Sequence, residues 1–166
     1  MLKRRKNVKK ISKEEKGILV LAYLMLLGAT YRLMGIHDYE FYQFMFQPLS
    51  GASLFFRYLG SIVLRLMVIA TAFGLIVKKE FFRKVAIVIC CFTVLTIYYK
   101  HPYQVFKNIA IGQEYQVRDT VSVTYELENP VFPVISMIFY YFVDITFSLI
   151  VILYLRKLSV KQYFHV

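Results

Sequence analysis

Tryptophan is absent from this 166-residue sequence, glycine and proline number only seven and four, and 19% of the residues are charged. So little charge excludes a disordered chain and sets the sequence apart from an ordinary soluble domain. Cysteine occurs only as the adjacent pair Cys90 and Cys91, inside an apolar run. Neighbours on a helix point about 100° apart, so the pair offers neither a disulfide framework nor metal-ligand spacing, and both read as packing residues. Acidic residues are scarce as well, 10 against 21 Lys and Arg, for a formal net charge of +11. No Gly-rich phosphate loop, nucleophile elbow or H-E-x-x-H motif occurs, and His37, His101 and His165 form no cluster. The chain is therefore read as non-catalytic and without a metal site.

What remains is apolar. Hydrophobic types make up 58% of the chain, with 15 Phe and 14 Tyr, more aromatic surface than so small a soluble core easily hides. A membrane-crossing helix needs about 20 mostly apolar residues, because lipid offers free backbone groups no partner. Four stretches qualify: residues 17–35, 54–77, 81–99 and 131–155. The first follows a basic head, residues 1–16, as in a signal peptide, but it is long and no small-x-small cleavage site closes it, so it is expected to be retained. The expected fold is an all-α integral membrane protein: one membrane domain over residues 1–166, a four-helix transmembrane bundle with a short interfacial helix and a small β-like outer loop.

The basic residues sort by loop. Fifteen of the 21 fall in residues 1–16, between Lys78 and Lys84, or after Leu155, whereas Lys100, Lys107 and Arg118 alone occupy the other side. Basic residues near span ends stay cytoplasmic, which predicts a multi-pass protein of a bacterial cytoplasmic membrane. Both termini, including the tail 156–166, lie inside, and loops 36–53 and 100–130 lie outside. The head lacks aromatic residues to stack on bases, so an attraction to anionic lipid explains it better than nucleic acid does.

In the first outer loop, Asp38 can cap a short helix that Pro48 ends. Its rings, Tyr39 and Phe41 among them, suit the headgroup zone, as an anchor or as a lid over a lipid-facing pocket. In the second, Val121, Val123, Tyr125 and Leu127 alternate with polar residues, a period-two strand signal with Tyr115–Val117 as a candidate pairing partner. Such a ribbon needs a surface, either the bundle's own end or a partner protein.

Charges at membrane depth are the first place to look for function. Asp144 is the only carboxylate inside a span, and counting inward from the outer ends puts Arg65 within about one helical turn of its depth. Arg57, Ser61 and Arg65 share one face of the second span, and Tyr140, Asp144 and Ser148 share one face of the fourth. An Arg65–Asp144 pair is therefore expected, either fixing helix register or forming a polar site for a proton, a quinone headgroup or an anion. Arg32 and Arg57 lie near the outer surface and are expected to snorkel. Lys100-His101-Pro102-Tyr103 reads as a loop start that could touch a headgroup or substrate.

The order of parts resembles that of the DoxX-like small four-helix membrane proteins. The segment Gly35 to Pro48, then Arg57 to Gly60, then Gly74-Leu75-Ile76-Val77-Lys78-Lys79 carry the resemblance, which covers residues 17 to about 99. It implies association with redox or quinone-linked membrane systems, often as an accessory component. The long strand-bearing loop departs from that pattern, and no functional residue is matched by position. The leading expectation is an accessory four-helix protein whose outer loop docks another membrane or extracytoplasmic protein, or a second copy of itself. The alternative is a redox-associated protein binding a quinone or lipid between the second and fourth spans. No motif demands a cofactor.

Overall fold

The computed structural model describes residues 12–47, 49–117 and 131–164. The elements in chain order are α1 (Lys13–Met34), α2 (Tyr39–Met45), α3 (Gly51–Ile76), α4 (Glu80–Thr96), a 3₁₀ turn (Ile97–Lys100), α5 (Pro102–Val117), α6 (Val131–Arg156) and α7 (Leu158–Phe164). Among the described residues every element is helical. Three helices, α1, α3 and α6, are long and apolar enough to cross a membrane. Many of their large apolar side chains, such as Leu27, Phe56, Phe139 and Leu153, point outward and are well exposed on the protein surface. Lipid accommodates such a surface and water does not.

Helix ends follow local chemistry. Ser12 caps α1 by accepting from the Glu15 amide at 3.1 Å, and Asp38 caps α2 by accepting from the amides of Glu40 and Phe41, as its sequence leads one to expect. Ser50 precedes α3, whose first residue, Gly51, has φ +59°, a left-handed conformation that glycine adopts readily. At the other end of α3, Lys78 takes the left-handed position of a Schellman turn (φ 62°), with the Lys79 amide donating to the Gly74 carbonyl at 3.0 Å. The chain then turns sharply enough for Phe82 of α4 to lie directly over Gly74, where any Cβ would collide with its ring.

Packing runs α1 on α3, α3 on α4, and α4 and α5 on α6, with α7 folded back against α1 and α6. The main core lies toward the end where α1 begins and α6 ends, here called the proximal end. Ala22, Ala72 and Ala86 are fully buried there, among Ile18, Leu75, Val151 and Leu155. Such small residues let helices approach closely, which matters where lipid removes the usual hydrophobic incentive to associate. The tail after residue 156, expected only as a cytoplasmic extension, forms α7 and seats Val160 and Phe164 in this core. Lys78 bridges Glu15 at 3.1 Å beneath it, and the Tyr163 hydroxyl and the Glu15 carboxylate hold the Lys78 ammonium above its ordinary value.

A second apolar cluster closes the distal end, built from Ile36, Tyr42, Met45 and Leu54 with Val105 and Ile109 of α5. This corrects the expected outer loop. Residues 100–117 are largely helical, and Tyr115–Val117, expected to pair in a ribbon, form the last turn of α5. Pro102 presets the first helical position, and Val105 and Ile109, one turn apart, bury against α2. The expected strand itself, with Val121, Val123, Tyr125 and Leu127, lies outside the described residues. Asn108 locks α5 to α2: its side-chain amide donates to the carbonyls of Phe44 (3.0 Å), Met45 (2.9 Å) and Gln47 (3.4 Å), and Gln104 donates to its Oδ1. These carbonyls lie in the last turn of α2 and just beyond it, where a helix leaves its acceptors without the usual i+4 donors. Asn108→Leu is therefore expected to cost about 1–2 kcal/mol of stability. Hydrogen exchange should show faster amides in residues 39–47 while α3 and α6 keep their protection.

Candidate functional site

Charged side chains converge on Asp144, midway along α6 and buried at 7% exposure. The Arg32 guanidinium, from the last turn of α1, forks onto its carboxylate, Nη2 donating to Oδ1 and Nη1 to Oδ2, the latter at 3.2 Å. Lys100, the last residue of the 3₁₀ turn, donates to the same Oδ2 at 3.4 Å. Tyr140, one turn earlier on α6, carries both cations over its ring, Arg32 at 5.5 Å and Lys100 at 5.9 Å from the centroid. One carboxylate thus ties together α1, α6 and the turn after α4. A forked arginine–carboxylate contact is the strongest form of such a pair, and at membrane depth an unmatched charge costs on the order of 3 kcal/mol.

The expected Arg65–Asp144 pair does not form. Arg65 turns back on α3 and donates from Nη1 to the Ser61 carbonyl at 2.8 Å. Its Nε is buried, with no hydrogen-bond partner among the described residues. Two cations already hold the carboxylate, and the fork from Arg32 engages both of its oxygens.

The two polar stripes exist but do not face each other rung by rung. On α3, Arg57 donates from Nη2 to the Tyr99 carbonyl at 3.1 Å and lies over the Phe46 ring at 4.3 Å. Ser61 meets the Tyr42 hydroxyl of α2 at 3.2 Å. On α6, Tyr140 and Asp144 line the charged centre, whereas Ser148 is buried against Cys90 of α4. Tyr39 packs edge-on against Tyr58 at 5.0 Å and stays partly exposed, as does Phe41. A cavity of about 320 Å³ opens between α2 and α5, lined among others by Phe46, Leu49, His101 and Val105.

Two members of the centre depart from their sequence expectation. Arg32, expected to snorkel outward, points inward, and Lys100, placed in an outer loop, reaches back into the bundle. The signal available for both was side-chain length: a guanidinium or ammonium at a span end can drop about one helical turn to a buried carboxylate. A third, Arg83, anchors the proximal end. It is 5% exposed, forks onto Glu80 at 2.6 Å for both contacts, and donates from Nη1 to the Leu155 carbonyl at 2.8 Å.

Comparison with family models, with curated proteins and with solved structures found no match to this chain. The molecule is a helical, multi-pass membrane protein, defined by three helices able to cross a bilayer and by a charged centre that joins two of them.

Proposed function

We propose that the chain forms a four-span bundle and serves as an accessory membrane protein that holds the polar headgroup of a lipid or quinone at its charged centre. The observation that carries this is the convergence of Arg32 and Lys100 on the single carboxylate of Asp144. A register lock needs one ion pair; a second cation on the same carboxylate suits a binding site. In this reading α4 and its 3₁₀ extension are the fourth span, since 17 α-helical and four 3₁₀ residues reach about 33 Å, enough for the hydrocarbon core. The distal end faces the outside of a bacterial cytoplasmic membrane and both termini face the cytoplasm, following the distribution of Lys and Arg. The DoxX-like order of parts would place such a centre in a redox or quinone-linked system.

Two measurements test the reading. A cysteine placed at Ser53 is expected to react with an impermeant maleimide on intact cells and one at Ser159 only after lysis; the reverse pattern would overturn the orientation. Protein purified in mild detergent is expected to carry about one lipid or quinone per chain, lost in Asp144→Asn. Stoichiometric recovery of a partner protein with no bound amphiphile would favour a purely docking role.

A further inference from the structure

His101, which borders the cavity between α2 and α5, breaks the local rules of its own backbone. It stands at φ 47° immediately before α5, and its carbonyl accepts from the Val105 amide at 3.2 Å in the first turn of that helix. Left-handed backbone costs energy for a residue with a Cβ, and Asn would fill the place better, since it tolerates that conformation and caps a helix start. Among the described residues the His101 ring has no hydrogen-bond partner, and it lines the cavity instead. Its neighbours hold it there: Arg57 donates to the Tyr99 carbonyl at 3.1 Å, Lys100 is tied to Asp144 at 3.4 Å, and Pro102 opens the helix. Strained backbone that its surroundings over-determine is characteristic of ligand sites.

The cavity has the size and lining of such a site. Its volume of about 320 Å³ is the share of about ten waters and falls at the lower end of small-molecule pockets. Met45, Leu49 and Val105 give it an apolar wall together with Phe46, whose ring is held by the Arg57 guanidinium at 4.3 Å and the Tyr42 ring at 4.5 Å. That wall is formed before a ligand arrives. The polar groups are His101 and the amides of Gln47 and Gln104, and Gln104 spends its Nε2 on Asn108, which leaves its Oε1 as an acceptor. No Lys, Arg, Asp or Glu lines the cavity among the described residues.

We propose that this cavity is a binding site, separate from the charged centre, for a small uncharged compound carrying a hydroxyl on an aromatic ring, with His101 as the residue that holds the hydroxyl. One hydroxyl accepts from an imidazole N–H while donating to the Gln104 carbonyl oxygen. A ring suits the thioether of Met45 and the ring of Phe46. A charged group would enter without a counter-ion, and a bare hydrocarbon would leave the polar groups unpaired.

Protein in nanodiscs would be titrated with 4-(trifluoromethyl)phenol, and with 4-(trifluoromethyl)toluene and 4-(trifluoromethyl)benzoate, which share the ring but lack the hydroxyl or carry a charge. Each titration is followed by fluorine NMR against empty nanodiscs. The phenol is expected to bind saturably and about tenfold more tightly than either comparator, the worth of one hydrogen bond to the hydroxyl. His101→Asn should weaken its binding by about the same factor while the melting temperature stays at or above the parent's, because Asn keeps the backbone and adds a cap. A merely structural histidine would show the opposite pattern. Val105→Phe, which fills the cavity, should abolish binding, and His37→Asn, at another histidine of the distal end, should leave it unchanged. If His101→Asn fails to fold, Val105→Phe decides. Full retention of binding in either folded variant, equal binding of the toluene, tighter binding of the benzoate, or a phenol signal no different from empty nanodiscs overturns the proposal. None of these outcomes touches the headgroup reading, which Asp144→Asn decides.

Discussion

Asp144→Asn is expected to lower the stability of the bundle by about 3 kcal/mol, the lower part of the range for breaking a buried ion pair. Asparagine preserves the size and some of the hydrogen bonding, so the loss isolates charge. Arg32 and Lys100 would face each other without a counter-ion. Arg32 is 38% exposed at its side chain, so part of its charge can be solvated at the bilayer surface, which keeps the effect from the top of the range. Unfolding by SDS in mixed micelles measures it. Neutralising Arg32 in the same protein should restore part of the loss, because Lys100 then remains as the nearer unmatched cation. A single variant within about 0.5 kcal/mol of the parent would show that the carboxylate is already well solvated.

Arg83→Met is expected to cost about 2 kcal/mol, at the opposite end of the molecule and for a different reason. Arg83 satisfies two things at once: the carboxylate of Glu80, three residues earlier on α4, and the carbonyl of Leu155 in the last turn of α6. That carbonyl belongs to the set a helix leaves without an internal partner, and a cation there also complements the negative end of the helix dipole. Methionine fills the volume but supplies no donor, so the carbonyl is left in a buried setting. Arg83→Lys should recover less than half, since one ammonium cannot fork onto Glu80 and reach Leu155 together. The same unfolding assay reads the loss, and hydrogen exchange should localise it to the end of α6 and to α7.

The contrast between these two sites shows what could be read in the residues alone. The long helices α1, α3 and α6 were legible because twenty-odd apolar residues have few other places to go, and α2 because Asp38 marks its start. Helix α5 was not, because its half-buried stripe of Val105 and Ile109 gains its meaning from α2, some 60 residues earlier in the chain, while the alternation just beyond it suggested extended structure. That Asp144 would draw a cationic partner was legible from its isolation inside a span. Its partner was not, because matching backbone depth favours Arg65, whereas the contact is made by a long side chain dropping from the last turn of α1. Arg83 sits at a span end, where basic residues commonly meet headgroups; its burial depends on the fork with Glu80 and on α6 ending beside it. Backbone position predicts the depth of short side chains well and that of arginine and lysine poorly.

The central claim is that Arg32 and Asp144 join α1 to α6 and that Arg65 stands apart from that bond. A pair of double-mutant cycles tests it most directly, using Arg32→Gln with Asp144→Asn and Arg65→Gln with Asp144→Asn, each unfolded in mixed micelles. The account predicts a coupling energy of about 1–3 kcal/mol for Arg32 with Asp144 and less than half of that for Arg65 with Asp144. Coupling near zero for Arg32, or larger coupling for Arg65, would contradict it.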